Sequence, residues 1–185
     1  LHIDKDHFMT ISPDEGSMNR AIYLANVLGV DMGMYYKRLD YSRYVNGRHP
    51  IAAYEFLGPK IEGKDMILID DMISSGDTII KIASLLKEKG AGRVYICSTF
   101  GFFTDGLDKF DDAYKKGYFD KLLTTNLVYQ SPELLEKPYY ISCDMSKYIA
   151  LIIDTLNHDT SVSHLLNPVD RIKRCVTNYM SQHEK

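Results

Sequence analysis

Two adjacent carboxylates followed by hydroxyls and a glycine form the stretch best equipped for chemistry: Asp70-Asp71-Met72-Ile73-Ser74-Ser75-Gly76-Asp77-Thr78. It follows the apolar run Met66 to Ile69, which has the character of a parallel strand covered on both faces. A loop that leaves such a strand and enters a helix offers free backbone N–H groups at the positive end of the helix dipole, and phosphate is the natural guest. Gly76 allows the backbone to curl so that these groups converge, while Ser74, Ser75 and Thr78 add hydroxyl donors. Asp70 and Asp71 supply acceptors for vicinal sugar hydroxyls or for a magnesium shell. The blander alternative is a solvated strand end with Ser75 or Asp77 as a helix N-cap. No GxxxxGK[ST] and no dinucleotide fingerprint occurs, so the phosphate chemistry is of another kind.

The elements that must carry this loop alternate. Phe8 to Ile11 reads as a buried strand, Ser12 to Gly16 as a turn, and the following helix places Met18, Ala21, Ile22, Ala25 and Leu28 at helical spacing before Gly29. Met32 to Tyr36 is a second strand, and the polar stretch Lys37 to Pro50, with Arg38, Arg43, Asn46, Arg48 and His49, reads as a long functional loop. The strand at Met66 to Ile69 is expected to stop at Asp70-Asp71, and a helix to run from Thr78 to Lys89. Further strands are expected at Val94 to Thr99, Lys121 to Thr125 and Tyr139 to Cys143, with helices at Leu107 to Lys116 and Ser146 to Leu156. Such alternation predicts an α/β fold, a doubly wound and largely parallel sheet flanked by helices. Ser161 to Leu166, the Asn167-Pro168 break and an amphipathic helix from Val169 to Gln182 form a helical C-terminal tail. The expected division is therefore 1–157 and 158–185.

The 185 residues, 45% hydrophobic, suit one domain with a genuine core. A net charge of −3 with both signs interspersed gives no footprint for nucleic acid and no polybasic membrane patch. No apolar run approaches the roughly 18–20 residues that span a bilayer. Cys97, Cys143 and Cys175 lie far apart, which argues against a disulfide framework or a zinc site and fits a reducing cytoplasm. His49, His158 and His164 show no metal spacing. Tyr35, Tyr36, Tyr139 and Tyr140 are expected in the core or at interfaces, which makes a homo-oligomer credible. The opening at Leu1 without methionine suggests a fragment or a processed product.

The Asp70 to Thr78 segment resembles the ribose-phosphate loop of type I phosphoribosyltransferases. Four further motifs, Ile11-Ser12-Pro13-Asp14-Glu15-Gly16, Tyr36-Lys37-Arg38, Thr124-Thr125-Asn126 and Asp144-Met145-Ser146-Lys147, fall in the order seen in the C-terminal domain of ribose-phosphate pyrophosphokinases. The resemblance spans nearly the whole chain. It implies that Asp70, Asp71, Ser74, Ser75, Gly76, Asp77 and Thr78 hold ribose 5-phosphate, and that Asp14 is associated with magnesium. It further implies that Lys37, with Arg38, stabilises charge on a pyrophosphoryl group passing from ATP to the anomeric hydroxyl. The family joins two related domains, and the N-terminal domain, which supplies most of the ATP site, is the implied partner. This chain departs from the family's Lys-x-Arg pattern by reading Lys37-Arg38-Leu39. The second cation is then supplied by Arg38 or Arg43, or activity is reduced. Two other readings remain: a base phosphoribosyltransferase, for which no base-recognising hood is evident, and a regulatory subunit that keeps the fold without the chemistry.

Overall fold

The computed structural model describes residues 3–44, 47, 49 and 51–183, without the side chains of His164 and His183. Asn46, Arg48 and Pro50 of the polar stretch lie outside the described residues. The strands are β1 (Phe8–Ser12), β2 (Asp31–Leu39), β3 (Ile51–Leu57), β4 (Asp65–Ile73), β5 (Val94–Gly101), β6 (Lys121–Thr125) and β7 (Tyr140–Cys143). The helices are α1 (Met18–Leu28), α2 (Asp77–Glu88), α3 (Asp108–Lys115), α4 (Pro132–Leu135), α5 (Ser146–Asn157), α6 (Ser163–Leu166) and α7 (Val169–His183).

The seven strands form one sheet in the order β3-β2-β1-β4-β5-β6-β7, and every pair is parallel except β2 with β3. The expected doubly wound sheet is therefore present, with an antiparallel edge strand added. β1 is buried along its whole length, as a strand with neighbours on both sides and helices on both faces must be. On one face Met9, Ile11, Met66, Leu68, Ile96 and Leu122 pack beneath Ile79, Ile82 and Leu86 of α2 and Phe110 of α3. On the other, α1 lies over β1, where the buried Thr10 hydroxyl donates to the Ala21 carbonyl at 3.1 Å. Gly29 ends α1 in the left-handed region at φ +69°, as its position after the last apolar residue predicts.

Three expectations need correction. β4 does not stop at Asp70-Asp71 but continues to Ile73, because Asp70, Met72 and Ile73 keep backbone partners on β5 at Ser98, Phe100 and Gly101. Lys37 and Arg38 do not begin a loop. They lie inside β2, opposite Tyr54 and Ala53 of β3. The strand β3 itself was not anticipated, since the stretch after residue 50 carries no clean alternation and stays largely half-buried at the sheet edge. Among the tyrosines, Tyr35, Tyr139 and Tyr140 are core residues. The last helix packs against α1. Among the described residues no helix is long and apolar enough to cross a membrane.

Phe110 is fully buried, stands edge-on to Phe103 at 5.2 Å and fills the space beneath the loop that precedes α2. Phe110→Ala is expected to cost about 3–5 kcal/mol of stability by opening a cavity there. Urea denaturation measures it, and a loss below about 1 kcal/mol would show that this ring does not support the loop.

Candidate functional site

Strand order reverses at β1: β2 lies on one side and β4 on the other, so the connections after β1 and β4 diverge to opposite faces. A crevice opens at such a switch point, outside the carboxyl ends of the strands. Asp14 follows β1 and the Asp70 to Thr78 segment follows from β4, so the two lips of this crevice hold most of the residues singled out from the sequence.

The β4 lip ends in a tight curl. Gly76 adopts φ +86°, and a Cβ at this position would lie 2.3 Å from the Phe110 ring, so both conformation and space exclude a side chain. Gly76 is also the residue that caps α2, and no side chain caps the first turn of that helix. The opening N–H groups of α2 are therefore left for a ligand rather than consumed by a neighbouring oxygen. The capping alternative fails in its strong form: Ser75 Oγ meets the Asp77 N–H only at a long 3.4 Å. Ser74 to Thr78 with Asp70 border a hollow of about 140 Å³.

The carboxylates are ordered by short bonds. Asp70 Oδ1 accepts from Ser17 Oγ at 2.7 Å and from the Asp71 N–H at 2.9 Å. Ser17 therefore stitches the β1 lip to the β4 lip. Burial pushes the Asp70 carboxyl above its ordinary value, and the side chain of Asp71 and the negative charge of Asp14 add to this, with the bonds from Ser17 and the Asp71 N–H opposing. Asp71 Oδ2 stands 3.7 Å from Arg20 on α1. Asp14 Oδ1 accepts from the N–H groups of Gly16 and Ser17 at 3.0 and 3.3 Å, capping a short 3-10 turn at Glu15–Ser17, while its Oδ2 lies 3.7 Å from Lys37 Nζ. Asp14 thus does the ordinary work of a turn residue and still presents one oxygen to the crevice.

Lys37 and Arg38 part company. As successive residues of a strand they point to opposite sides, and Arg38 Nε lies 2.7 Å from Glu55 Oε1, whose Oε2 accepts from the Tyr36 hydroxyl at 2.5 Å. Lys37 therefore joins Asp14, whereas Arg38 does not. Arg43 pairs with Asp40 in the segment after β2. Asp77 turns its carboxylate to Ser75 Oγ at 3.0 Å and to Lys109 Nζ at 2.8 Å, and these bonds, the Lys109 one foremost, hold it below the usual carboxylate range. The remaining motifs meet each other at the ends of β6 and β7, where Asn126 Nδ2 donates to Asp144 Oδ1 at 2.8 Å and Ser146 Oγ donates to the same oxygen at 2.6 Å.

Ser17, Arg20, Glu55 and Lys109 were missed from the sequence. Arg20 carried a faint signal, in the first turn of α1 and hence near the strand ends. The other three gain their roles from contacts made across more than fifteen residues of chain.

Asp14 and Asp70 are hard oxygen donors close enough to perturb one another, which fits magnesium. Among the described residues no group of three or more His, Cys, Asp or Glu side chains could enclose a metal. An ion here would have to complete its shell with water and ligand oxygens, as magnesium commonly does.

A family model described as the phosphoribosyl synthetase-associated domain matches residues 48–167. The ribose-phosphate pyrophosphokinase of Vibrio parahaemolyticus is 29% identical over 163 residues, covering 88% of this chain and 49% of that protein. The ribose-phosphate pyrophosphokinase of Thermococcus kodakarensis is 31% identical over 121 residues, covering 65% of this chain and 39% of that protein. The crystal structure of phosphoribosylpyrophosphate synthetase from Mycobacterium smegmatis superposes with a TM-score of 0.68 at 24% identity, covering 82% of this chain and 45% of that one, so the fold is shared. The chain spans about half the length, or less, of these relatives.

The raised carboxyl of Asp70 carries a stability consequence. A folded-state pKa above the unfolded one means the native state holds its proton more tightly, so stability falls as pH rises through that window. In the metal-free protein, Asp70→Asn is expected to raise stability at pH 7 by about 0.5–2 kcal/mol, the usual gain when a strained functional group is removed. The gain should vanish as the pH is lowered below the ordinary aspartate range. Thermal melts of both proteins across pH 3–8 measure it, and a destabilised variant at pH 7 would contradict the assignment.

Proposed function

Because the chain belongs to the phosphoribosyl synthetase-associated domain family, we propose that its crevice holds ribose 5-phosphate and serves as the sugar half of a ribose-phosphate diphosphokinase site. The observation that carries the proposal is the uncapped first turn of α2, curled over Phe110 by Gly76 and flanked by Asp70. The phosphate sits on the N–H groups of that turn and the hydroxyls of Ser74 and Thr78, with the Ser75 hydroxyl bonded to Asp77 at the lip, while Asp70 and Asp71 accept from the ribose hydroxyls.

The reaction transfers pyrophosphoryl from ATP to the C1 hydroxyl. A bond forms between that oxygen and the β-phosphorus, the bridging bond to the α-phosphate oxygen breaks, AMP leaves with the electron pair, and the hydroxyl proton is released. Magnesium, when bound near Asp14 and Asp70, supplies charge neutralisation on the ATP phosphates. Lys37, three-quarters buried beside Asp14, places a cation where negative charge grows on the transferred group. The rest of the ATP site comes from an N-terminal domain like that of the longer relatives, and assembly as a cytoplasmic homo-oligomer belongs to the same proposal.

Titration calorimetry of this chain with ribose 5-phosphate is expected to show binding, weakened at least tenfold in Asp71→Asn, whereas AMP production from ATP by the chain alone should be small. No heat with ribose 5-phosphate, or robust turnover without a partner domain, would overturn the assignment.

One observation favours a second reading, a non-catalytic associated subunit: Leu39 stands where the family pattern has its second cation, at an irregularity in the pairing of β2 with β3, while Arg38 is held by Glu55. Placing Leu39→Arg in a two-domain form of the protein distinguishes them. A gain in turnover of ten-fold or more identifies a degenerate site, and an unchanged rate identifies a site that does without the second cation.

A further inference from the structure

Asp77 is the first residue of α2 and borders the hollow that receives the phosphate. A free carboxylate in this position would oppose a phosphate dianion, since both compete for the positive end of the same helix. The carboxylate is not free: Lys109 Nζ lies 2.8 Å from Asp77 Oδ1, and Ser75 Oγ donates to Oδ2 at 3.0 Å. Lys109 also reaches Asp105 Oδ2 at 2.8 Å, so one ammonium from α3 is shared between the helix start of α2 and the turn that leads out of β5. Because Ser75 spends its proton on Asp77, the orientation of one loop hydroxyl depends on where that carboxylate is held.

We propose that Lys109 is a positioning residue for phosphate binding, acting through Asp77: it cancels the charge of that carboxylate at the lip of the loop and holds it in place. The proposal rests on the reading of this loop as a ribose 5-phosphate site. The pair is exposed, with side-chain accessibilities of 39% for Lys109 and 68% for Asp77, so it contributes little to folding stability. Its effect should appear in ligand affinity.

Four forms of this chain distinguish the possibilities, each titrated with ribose 5-phosphate and with inorganic phosphate at low ionic strength. Lys109→Met is expected to bind both about tenfold more weakly with an unchanged melting temperature, and the deficit should shrink as salt is raised. Lys109→Arg should bind like the unsubstituted chain. Asp77→Asn should bind at least as tightly as that chain, and Asp77→Asn combined with Lys109→Met should return to within about twofold of Asp77→Asn alone. A double variant as weak as Lys109→Met would mean that Lys109 touches the ligand itself and would overturn the positioning role, as would full affinity in Lys109→Met. If the unsubstituted chain binds neither ligand, the sugar-phosphate reading falls and the role of Lys109 falls with it.

Discussion

Everything around the crevice depends on the backbone at Gly76 closing against the Phe110 ring. A ring fully buried between α2 and α3 and a residue with no Cβ allow the chain to turn from strand into helix within a few residues. The turn leaves the first N–H groups of α2 facing the crevice with no side-chain cap. The core is thus continuous with the crevice: the ring that contributes apolar burial also sets the curvature of the backbone at its lip.

Charge is arranged against stability and in favour of binding. Asp14, Asp70 and Asp71 gather at the carboxyl ends of β1 and β4, tempered by Ser17, Arg20, Lys37 and nearby backbone N–H groups. Burial and the neighbouring carboxylate make the charged form of Asp70 costly in the free protein. The same features make it a good receptor for sugar hydroxyls or a hard cation, each of which replaces the lost hydration. A site of this kind is expected to conflict with local stability, because the groups that would best satisfy the carboxylates belong to the ligand.

The parallel core was legible because its signals are local. Met66 to Ile69, Val94 to Thr99 and the amphipathic helix after Thr78 declare themselves by periodicity, and the loop between declares itself by composition. What escaped the sequence was decided by pairing at a distance. Asp70 and Asp71 look like a strand end, yet β5 continues to supply backbone partners and the strand runs on. Lys37 and Arg38 look like the start of a polar loop, yet β3 returns beside them and draws both into the sheet, sending their side chains apart. The resemblance to the family singled out Lys37 and Arg38 together, and the strand geometry separates the two.

The position of β1 in the middle of the sheet also constrains the order of assembly. β1 takes β2 as a neighbour soon after it is made, but its other partner is β4, and the register joins Phe8 to Asp65 and Ile11 to Leu68 across more than fifty intervening residues. Closing a loop of that length is the slow kind of step in folding. On the ribosome, a chain emerging from its N-terminus exposes one lip of the crevice well before the other exists. The crevice therefore belongs to the late, non-local part of folding, and a nascent chain halted before β4 would carry Asp14 and Lys37 with only each other to face.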